Sequence, residues 1–150
     1  MKFVIQRVLR ASVTINNDEI RTIGRGLMVL AGIGREDSEK DVDQMARKLI
    51  NLRIFEDDEG KMNLSVKDIE GDIMIVSQFT LYASTKKGNR PGFGLSAPPE
   101  QAIPLYEKLL RRVEQLDGKK PASGEFGADM KIDMINNGPV TIILDSKNQE

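Results

Sequence analysis

The sequence contains no cysteine and no histidine among its 150 residues. The absence of cysteine excludes disulfide bonds, thiolate nucleophiles and cysteine-based zinc sites. The absence of histidine excludes an imidazole base, and with it the Ser-His-Asp and Cys-His mechanisms. An enzyme of this composition must rely on carboxylates, lysines, hydroxyls, backbone dipoles or groups of its substrate. We expect no metal ion and no cofactor.

Excess charge and long apolar runs are also missing. The 22 Lys and Arg residues nearly balance the 23 Asp and Glu residues, so nucleic acid could be bound only by a local basic patch. No 18 apolar residues run together, and Gln6, Arg7 and Arg10 interrupt any signal-peptide core near the start. We therefore expect a soluble, cytoplasmic protein without a membrane partner.

The first third of the chain has the pattern of β-strands. Residues 2–9 and 12–15 alternate or are rich in β-branched side chains, and a turn at 16–18 folds residues 19–23 back as a hairpin. The continuous apolar run at 27–33 is typical of a buried strand.

Two segments have the period of helices. Apolar residues between 42 and 49 follow Ser38 and Asp41, which resemble a capping pair. A second helix is predicted over 99–116 and ends at Gly118, with a kink or a late start at Pro104, which lacks a backbone donor.

The remaining strand candidates lie in the second half of the chain. Residues 73–81 form an apolar strand that turns polar, and residues 131–135 and 140–144 form a pair separated by a turn at 136–139. The sequence thus predicts one α+β domain over 1–150, with mixed, mostly antiparallel, barrel-like sheets and two main helices.

Three polar segments are candidates for function, and each also has a simpler interpretation. The segment 77–81 (SQFTL) is either a strand end that meets water or a polar floor for a reacting carbonyl. The segment 136–141 (NNGPVT) is locally a tight turn, although a cis Gly-Pro bond would aim the Gly138 carbonyl in another direction. The basic segment 84–92 is either a solvated loop or a clamp for phosphates.

The acidic run 56–59 lacks the alternating ligand spacing of a calcium loop, so we interpret it as a charged hairpin turn.

Taken together, these segments resemble the D-aminoacyl-tRNA deacylase family almost from end to end. The matching segments are residues 6–8, 60–64, 77–81, 90–91, 126–130 and 136–141. The motifs SQFTL and NNGPVT, in this order and about sixty residues apart, make the resemblance specific.

The resemblance implies a homodimeric hydrolase that cleaves the ester between a D-amino acid and the terminal adenosine of tRNA. It also implies removal of glycine mischarged on tRNA(Ala), and a filter at Gly138-Pro139 that reaches into the partner's pocket and excludes L-residues. The expected pocket residues are Ser77, Gln78, Phe79 and Thr80, supported by Arg7 and Met130. Lys86, Lys87 and Arg90 are predicted to contact tRNA, and no contact with DNA is expected.

The composition bears on how such an enzyme would work. Thr80 is the obvious nucleophile, but no lysine, aspartate or histidine lies within its motif to activate it. We therefore favour a mechanism in which the protein orients the ester, backbone donors stabilise the oxyanion, and the ribose 2′-hydroxyl assists a water. The alternatives are a non-catalytic RNA-end or nucleotide-binding module and a purely structural dimer; turnover, as opposed to binding, separates the enzyme from the binding module.

Overall fold

The computed structural model describes residues 1–148, and the sheet is built around strand β1 (Lys2–Ile15). Strands β2 (Glu19–Ile23), β3 (Gly26–Gly32) and β8 (Met130–Asp145) all pair with β1 in antiparallel orientation. The prediction of two separate strands at 2–9 and 12–15 was wrong, because Arg10 and Ala11 continue the pairing with β8.

The other side of the sheet contains parallel pairs. Strand β6 (Asp72–Ser77) runs parallel to β3, and the short strand β7 (Ala122–Ser123) runs parallel to β6. The strand order is β2-β1-β3-β6-β7, with β8 on the free side of β1. Strands β4 (Phe55–Glu56) and β5 (Met62–Leu64) form a separate hairpin, which confirms the acidic run as its turn.

Helices α1 (Glu39–Asn51) and α2 (Pro99–Asp117) cover one face of the sheet. Helix α2 starts at Pro99 and continues through Pro104, so the predicted late start was wrong. The exposed proline removes one backbone hydrogen bond without stopping the helix. Gly118, at φ 78°, ends α2 as predicted.

The start of α1 is stabilised by the carboxylate of Asp41, which accepts the Ser38 N–H at 2.9 Å. Burial alone raises the pKa of Asp41, but hydrogen bonds from Ser146, Ser38 and Lys147 outweigh it and lower this pKa to about 2. The predicted capping pair is therefore confirmed, and it also ties the end of the chain to α1.

Alternation along the strands separates two clusters of apolar side chains. Leu27, Val29 and Ile75 point toward the helices, whereas Met28 and Met74 point to the opposite face. On that opposite face they pack against the second half of β1 and the first half of β8. The long β1–β8 ribbon thus folds over the sheet and nearly closes a barrel, which confirms the predicted α+β class.

Two predicted boundaries near the functional motifs were wrong. Strand β6 stops at Ser77, and a short 3-10 turn, η1 (Phe79–Tyr82), replaces the predicted strand end. Strand β8 is a single strand and not a pair, because residues on both sides of the NNGPVT motif pair with the same strand β1. Val8 is opposite Asn136 and Gln6 is opposite Thr141, so the intervening residues form a bulge instead of a turn.

Within residues 1–148, no helix combines the length and apolar character needed to cross a membrane. The same described part of the chain contains no group of three or more acidic side chains arranged to hold a metal ion.

Candidate functional site

A cavity of about 330 Å³ opens where strands β3 and β6 end. Its size lies at the lower end of the range of small-molecule sites. Four chain segments form its walls, and the lining residues are Ala31, Ile33, Val76, Ser77, Gln78, Phe79, Ser96, Ala97, Ala102, Phe126, Gly127, Ala128, Asp129, Met130 and Ile132. Three of the four predicted SQFTL site residues, together with Met130, therefore line one cavity.

The SQFTL segment leaves the sheet at this cavity. The Gln78 N–H still donates to the Ala31 carbonyl at 2.8 Å, as a last bond to β3, and the chain then enters η1. The Gln78 side-chain amide donates to the Thr80 hydroxyl. Thr80 is exposed and does not line the cavity, and its hydroxyl is bound by an amide, which is not a base.

Aromatic rings mark the mouth of the cavity. The rings of Phe79 and Phe93 meet edge to face, with centroids 5.0 Å apart, and both remain exposed to solvent. Such an arrangement leaves apolar ring surface available to a ligand.

The opposite wall is built around Met130, at the start of β8. Gly124 makes room for it, since a Cβ at position 124 would lie 2.3 Å from the Met130 Sδ. Asp129 is the only ionisable side chain in the lining, and its carboxylate forms an ion pair with Lys131 at 2.9 Å. The described walls therefore offer hydroxyl, amide and backbone groups, and their one carboxylate is paired with Lys131.

The Gly138-Pro139 segment lies elsewhere in the same chain. Its position on β8 is opposite Arg7, at the level of Ile73 on β6, whereas the cavity lies at Ser77. Neither Gly138 nor Pro139 is among the described residues that line the cavity. The structure therefore does not bring this segment to the cavity of its own chain.

Two polar side chains hold the Gly138-Pro139 bulge in place. Asn136 spans its base: its side-chain oxygen accepts the Val140 N–H at 2.7 Å, and its amide donates to the Val140 carbonyl at 3.1 Å. Buried Arg7 donates to the Asn137 carbonyl at 2.9 Å and to the Ile54 carbonyl at 2.7 Å. Gly138, at φ 142°, and Pro139 are exposed at the tip, and the peptide between them is cis. Arg7 therefore supports this bulge and does not line the cavity.

The predicted basic loop is exposed and ordered by one short pairing. Ser84 and Gly92 exchange backbone hydrogen bonds of 2.8 Å, which closes the loop that carries Lys86, Lys87 and Arg90. Among residues 1–148, none of these three cations takes part in an ion pair. They are free to bind an anionic partner.

Sequence reasoning missed the wall formed by Ile33, Ser96, Ala97 and Ala102. These are small or apolar residues far apart in the chain, and no local pattern distinguishes them from other core residues. The segment 126–130 carries the family resemblance, yet of its residues only Met130 was predicted as a site residue.

Comparisons with known proteins agree with this architecture. The family model described as D-Tyr-tRNA(Tyr) deacylase matches residues 4–145. A D-aminoacyl-tRNA deacylase of Chlorobaculum parvum is 57% identical over 146 residues, covering 97% of this chain and 98% of the relative.

Two solved structures share the fold. One, named c-Myc DNA Unwinding Element Binding Protein, superposes with a TM-score of 0.90 at 46% identity, covering 97% of this chain and 98% of that one. Another, described as a probable eukaryotic D-amino acid tRNA deacylase, has a TM-score of 0.82 at 20% identity, covers 95% and 97% of the two chains, and supports the fold alone. With a family match over nearly its whole length, the chain belongs to the D-Tyr-tRNA(Tyr) deacylase family.

Proposed function

We propose that this protein hydrolyses the ester bond of D-aminoacyl-tRNA and releases the free D-amino acid and tRNA. The observation that carries the proposal is the cavity at the end of β6, which the SQFTL segment lines in a chain with full-length similarity to named D-aminoacyl-tRNA deacylases. The activity is that of a hydrolase acting on a carboxylic ester, and it corrects D-amino acids attached to tRNA before translation uses them. Its location in the cytoplasm, where its substrate is used, remains a prediction.

The chemistry of the cavity favours water over Thr80 as the nucleophile. Attack by the Thr80 hydroxyl needs a base that takes its proton, and the group that contacts this hydroxyl is the Gln78 amide. Among the described lining residues no amine is present, and the one carboxylate, Asp129, is ion-paired with Lys131. The catalytic role of Ser77, Gln78 and Phe79 is therefore to position the ester, and Thr80 contributes through its hydrogen bond with the Gln78 amide.

In the proposed reaction, a water attacks the ester carbonyl, the oxyanion accepts hydrogen bonds from backbone N–H groups of the η1 turn, and the bond to the ribose 3′-oxygen breaks. The N–H groups that open a helical turn have no acceptor within it, so they can serve this purpose. The neighbouring ribose 2′-hydroxyl assists by accepting a proton from the water and relaying it to the leaving 3′-oxygen. Correct positioning can supply about 7–11 kcal/mol of the barrier.

The chirality filter is proposed to be the Gly138-Pro139 bulge of a second copy. Asn136 and Arg7 hold this bulge rigidly, and its tip is exposed and does not line the cavity of the same chain. A rigid, exposed tip that does not line its own cavity is suited to another protomer's cavity.

Apolar surface around the bulge supports the homodimer. Leu9, Ile135 and Ile143 project from β1 and β8 on either side of it and are 50%, 43% and 71% exposed. Burying such a patch against a second copy would remove apolar area from water, and each fully buried side chain contributes about 1.5–3 kcal/mol.

A filter made of backbone atoms also predicts which substrates are accepted. All L-amino acids share the same substituents at the α-carbon, so one steric contact there rejects them regardless of side chain. Glycine has no side chain to reject. We propose that glycine mischarged on tRNA(Ala) is therefore hydrolysed as well.

The tRNA is proposed to contact the basic loop through its phosphates. Lys86, Lys87 and Arg90 are exposed and free of ion pairs in the described residues, so they can neutralise phosphates without breaking internal contacts. Duplex DNA of equal length serves as the comparison ligand, because the proposal requires tighter binding of the acceptor end of tRNA.

The decisive experiment is a deacylation assay with paired D- and L-tyrosyl-tRNA and glycyl-tRNA(Ala). We expect multiple turnovers on the D-substrate and on the glycyl substrate, and none on the L-substrate. Binding of both tyrosyl-tRNAs without turnover would instead favour the RNA-end binding module. Equal turnover of the D- and L-forms would contradict the filter but leave the hydrolase intact.

A further inference from the structure

The 34–37 turn, which follows β3, connects two of the four walls of the cavity, the one that ends at Ile33 and the one at 96–102. Ile33, immediately before this turn, lines the cavity. Its carbonyl accepts the Ala97 N–H at 2.9 Å, and Gly34 forms a β-bridge with Ser96, so the turn holds the wall at 96–97. The Gln101 side chain at the start of α2 donates to the Arg35 carbonyl at 2.9 Å.

Asp37, the last residue of this turn, stabilises it through its carboxylate. Its carboxylate is buried and accepts the Gly34 N–H at 2.7 Å through Oδ2. The α-ammonium of Met1 donates to its Oδ1 at 2.6 Å, and both groups are inaccessible to solvent. A buried carboxylate with a charged partner and a short backbone hydrogen bond is a rigid anchor.

The anchor extends to the SQFTL segment through Tyr82, the last residue of η1. The Tyr82 hydroxyl faces the Asp37 Oδ2 at 3.5 Å, and its ring packs against Gly34, where an added Cβ would be 2.8 Å from two ring carbons. The Lys2 ammonium lies 4.7 Å from the centre of the same ring. Burial and the nearby Asp37 carboxylate raise the pKa of the Tyr82 hydroxyl, so it stays a neutral donor at physiological pH.

We propose that the 34–37 turn, anchored by Asp37, is a positioning element for deacylation. It presses on Tyr82 and thereby sets the distance between the η1 turn and the wall at 96–97. Neither Asp37 nor Tyr82 lines the cavity, so both act through the residues that do. This inference rests on the proposed function of the cavity and adds to it the element that sets its width.

Gly34→Ala is the most direct test, because it inserts one methyl group between the turn and the Tyr82 ring. Gly34 has no positive φ, so the backbone itself accepts alanine. We expect kcat for D-tyrosyl-tRNA to fall roughly tenfold to hundredfold, as displacements near 1 Å do. KM should stay within about twofold of wild type, because the phosphate contacts are elsewhere.

A second variant distinguishes positioning from general damage. Tyr82→Leu removes the ring that the new methyl group strikes, so Gly34→Ala combined with Tyr82→Leu should be no less active than Tyr82→Leu alone. Coupling of this kind is the signature of two residues in contact. If the two losses multiply as independent effects, or if folded Gly34→Ala has wild-type kcat, the proposal is wrong.

Gly94→Ala is the matched control, since a Cβ there meets no atom within 4 Å and its φ is not positive. It should keep wild-type kcat and KM.

A measurement without substrate separates this proposal from the proposed function. The Leu81 and Ala83 amides donate to Gln78 and Thr80 within the η1 turn at 3.3 and 3.1 Å. We expect their hydrogen exchange to accelerate in Asp37→Asn and Gly34→Ala, but not in Gly94→Ala. If wild-type protein fails to deacylate while this pattern appears, the proposed function fails and the anchor stands. If hydrogen exchange in η1 is unchanged in folded Gly34→Ala, the proposed role of the Asp37 anchor is wrong. The same variant decides the test if Asp37→Asn does not fold.

Discussion

Replacing Gly138 by alanine tests the chirality filter where the structure is most sensitive. The residue has φ 142°, a conformation that L-residues adopt at a cost of about 1–3 kcal/mol. An added Cβ would also lie 2.7 Å from Val140 Cγ2 and 3.1 Å from Arg7 Nη2. A domain with about 5–15 kcal/mol of stability can tolerate this strain and stay folded, but the tip of the bulge must move.

The expected result is a loss of discrimination, not of the fold. If the free-energy penalty against the L-form falls by about 1.4 kcal/mol, hydrolysis of L-tyrosyl-tRNA becomes tenfold faster relative to the D-form. The assay measures kcat/KM for both tyrosyl-tRNAs, with circular dichroism to check the fold and sedimentation to check the proposed dimer. Gly60→Ala is the control: it has φ 76° and no atom within 4 Å of the new Cβ, so it imposes a backbone cost without touching the bulge. If folded Gly138→Ala retains the wild-type D/L ratio, the bulge is not the filter.

Three further predictions concern Thr80, the basic loop and the start of helix α1. Thr80→Ala should keep most of the deacylase activity while a 2′-deoxy terminal adenosine reacts poorly, and a trapped acyl-Thr80 intermediate in single-turnover experiments would refute this. Alanine at Lys86, Lys87 and Arg90 should flatten the salt dependence of tRNA binding by about 0.7–0.9 per lost phosphate contact and leave the D/L ratio unchanged; an unaltered slope means a solvated loop. Folding lowers the pKa of Asp41 from 3.8 to about 2, so its carboxylate stabilises the folded state by about 1–2 kcal/mol above pH 4, and this stabilisation is lost toward pH 2. Asp41→Asn should therefore make the free energy of unfolding less dependent on pH over this window. An unchanged acid-unfolding curve would contradict the assignment.

Local patterns predicted the elements whose pairing is regular. Alternating apolar residues indicated the first part of β1, a continuous apolar run indicated β3, and helical spacing with a capping pair indicated α1. Each pattern follows from burial: β1 buries one face, β3 buries both faces, and α1 buries one stripe.

The prediction failed where a distant strand decides the conformation. Asn136, Asn137, Gly138 and Pro139 are the residues that turns prefer, and locally a turn is the better interpretation. Both flanks nevertheless pair with β1, which converts the turn into a bulge. The register between two strands is set by packing over the whole sheet, so it cannot be recognised from the six residues of the motif. The cavity wall at 96–102 is hidden for the same reason, since only the close approach of β3 makes it a wall.

The absence of histidine and the architecture of the site are connected. In a cavity whose described lining offers hydroxyls, amides and backbone groups, rate enhancement must come from geometry rather than from a tuned base. Geometry of that kind depends on residues that never touch the substrate. Here the buried Asp37 anchors one side of the cavity, and Asn136 with Arg7 anchors the bulge proposed to complete the partner's site. Conservative changes in these anchors should therefore reduce activity or selectivity, although they remove no group that lines the cavity.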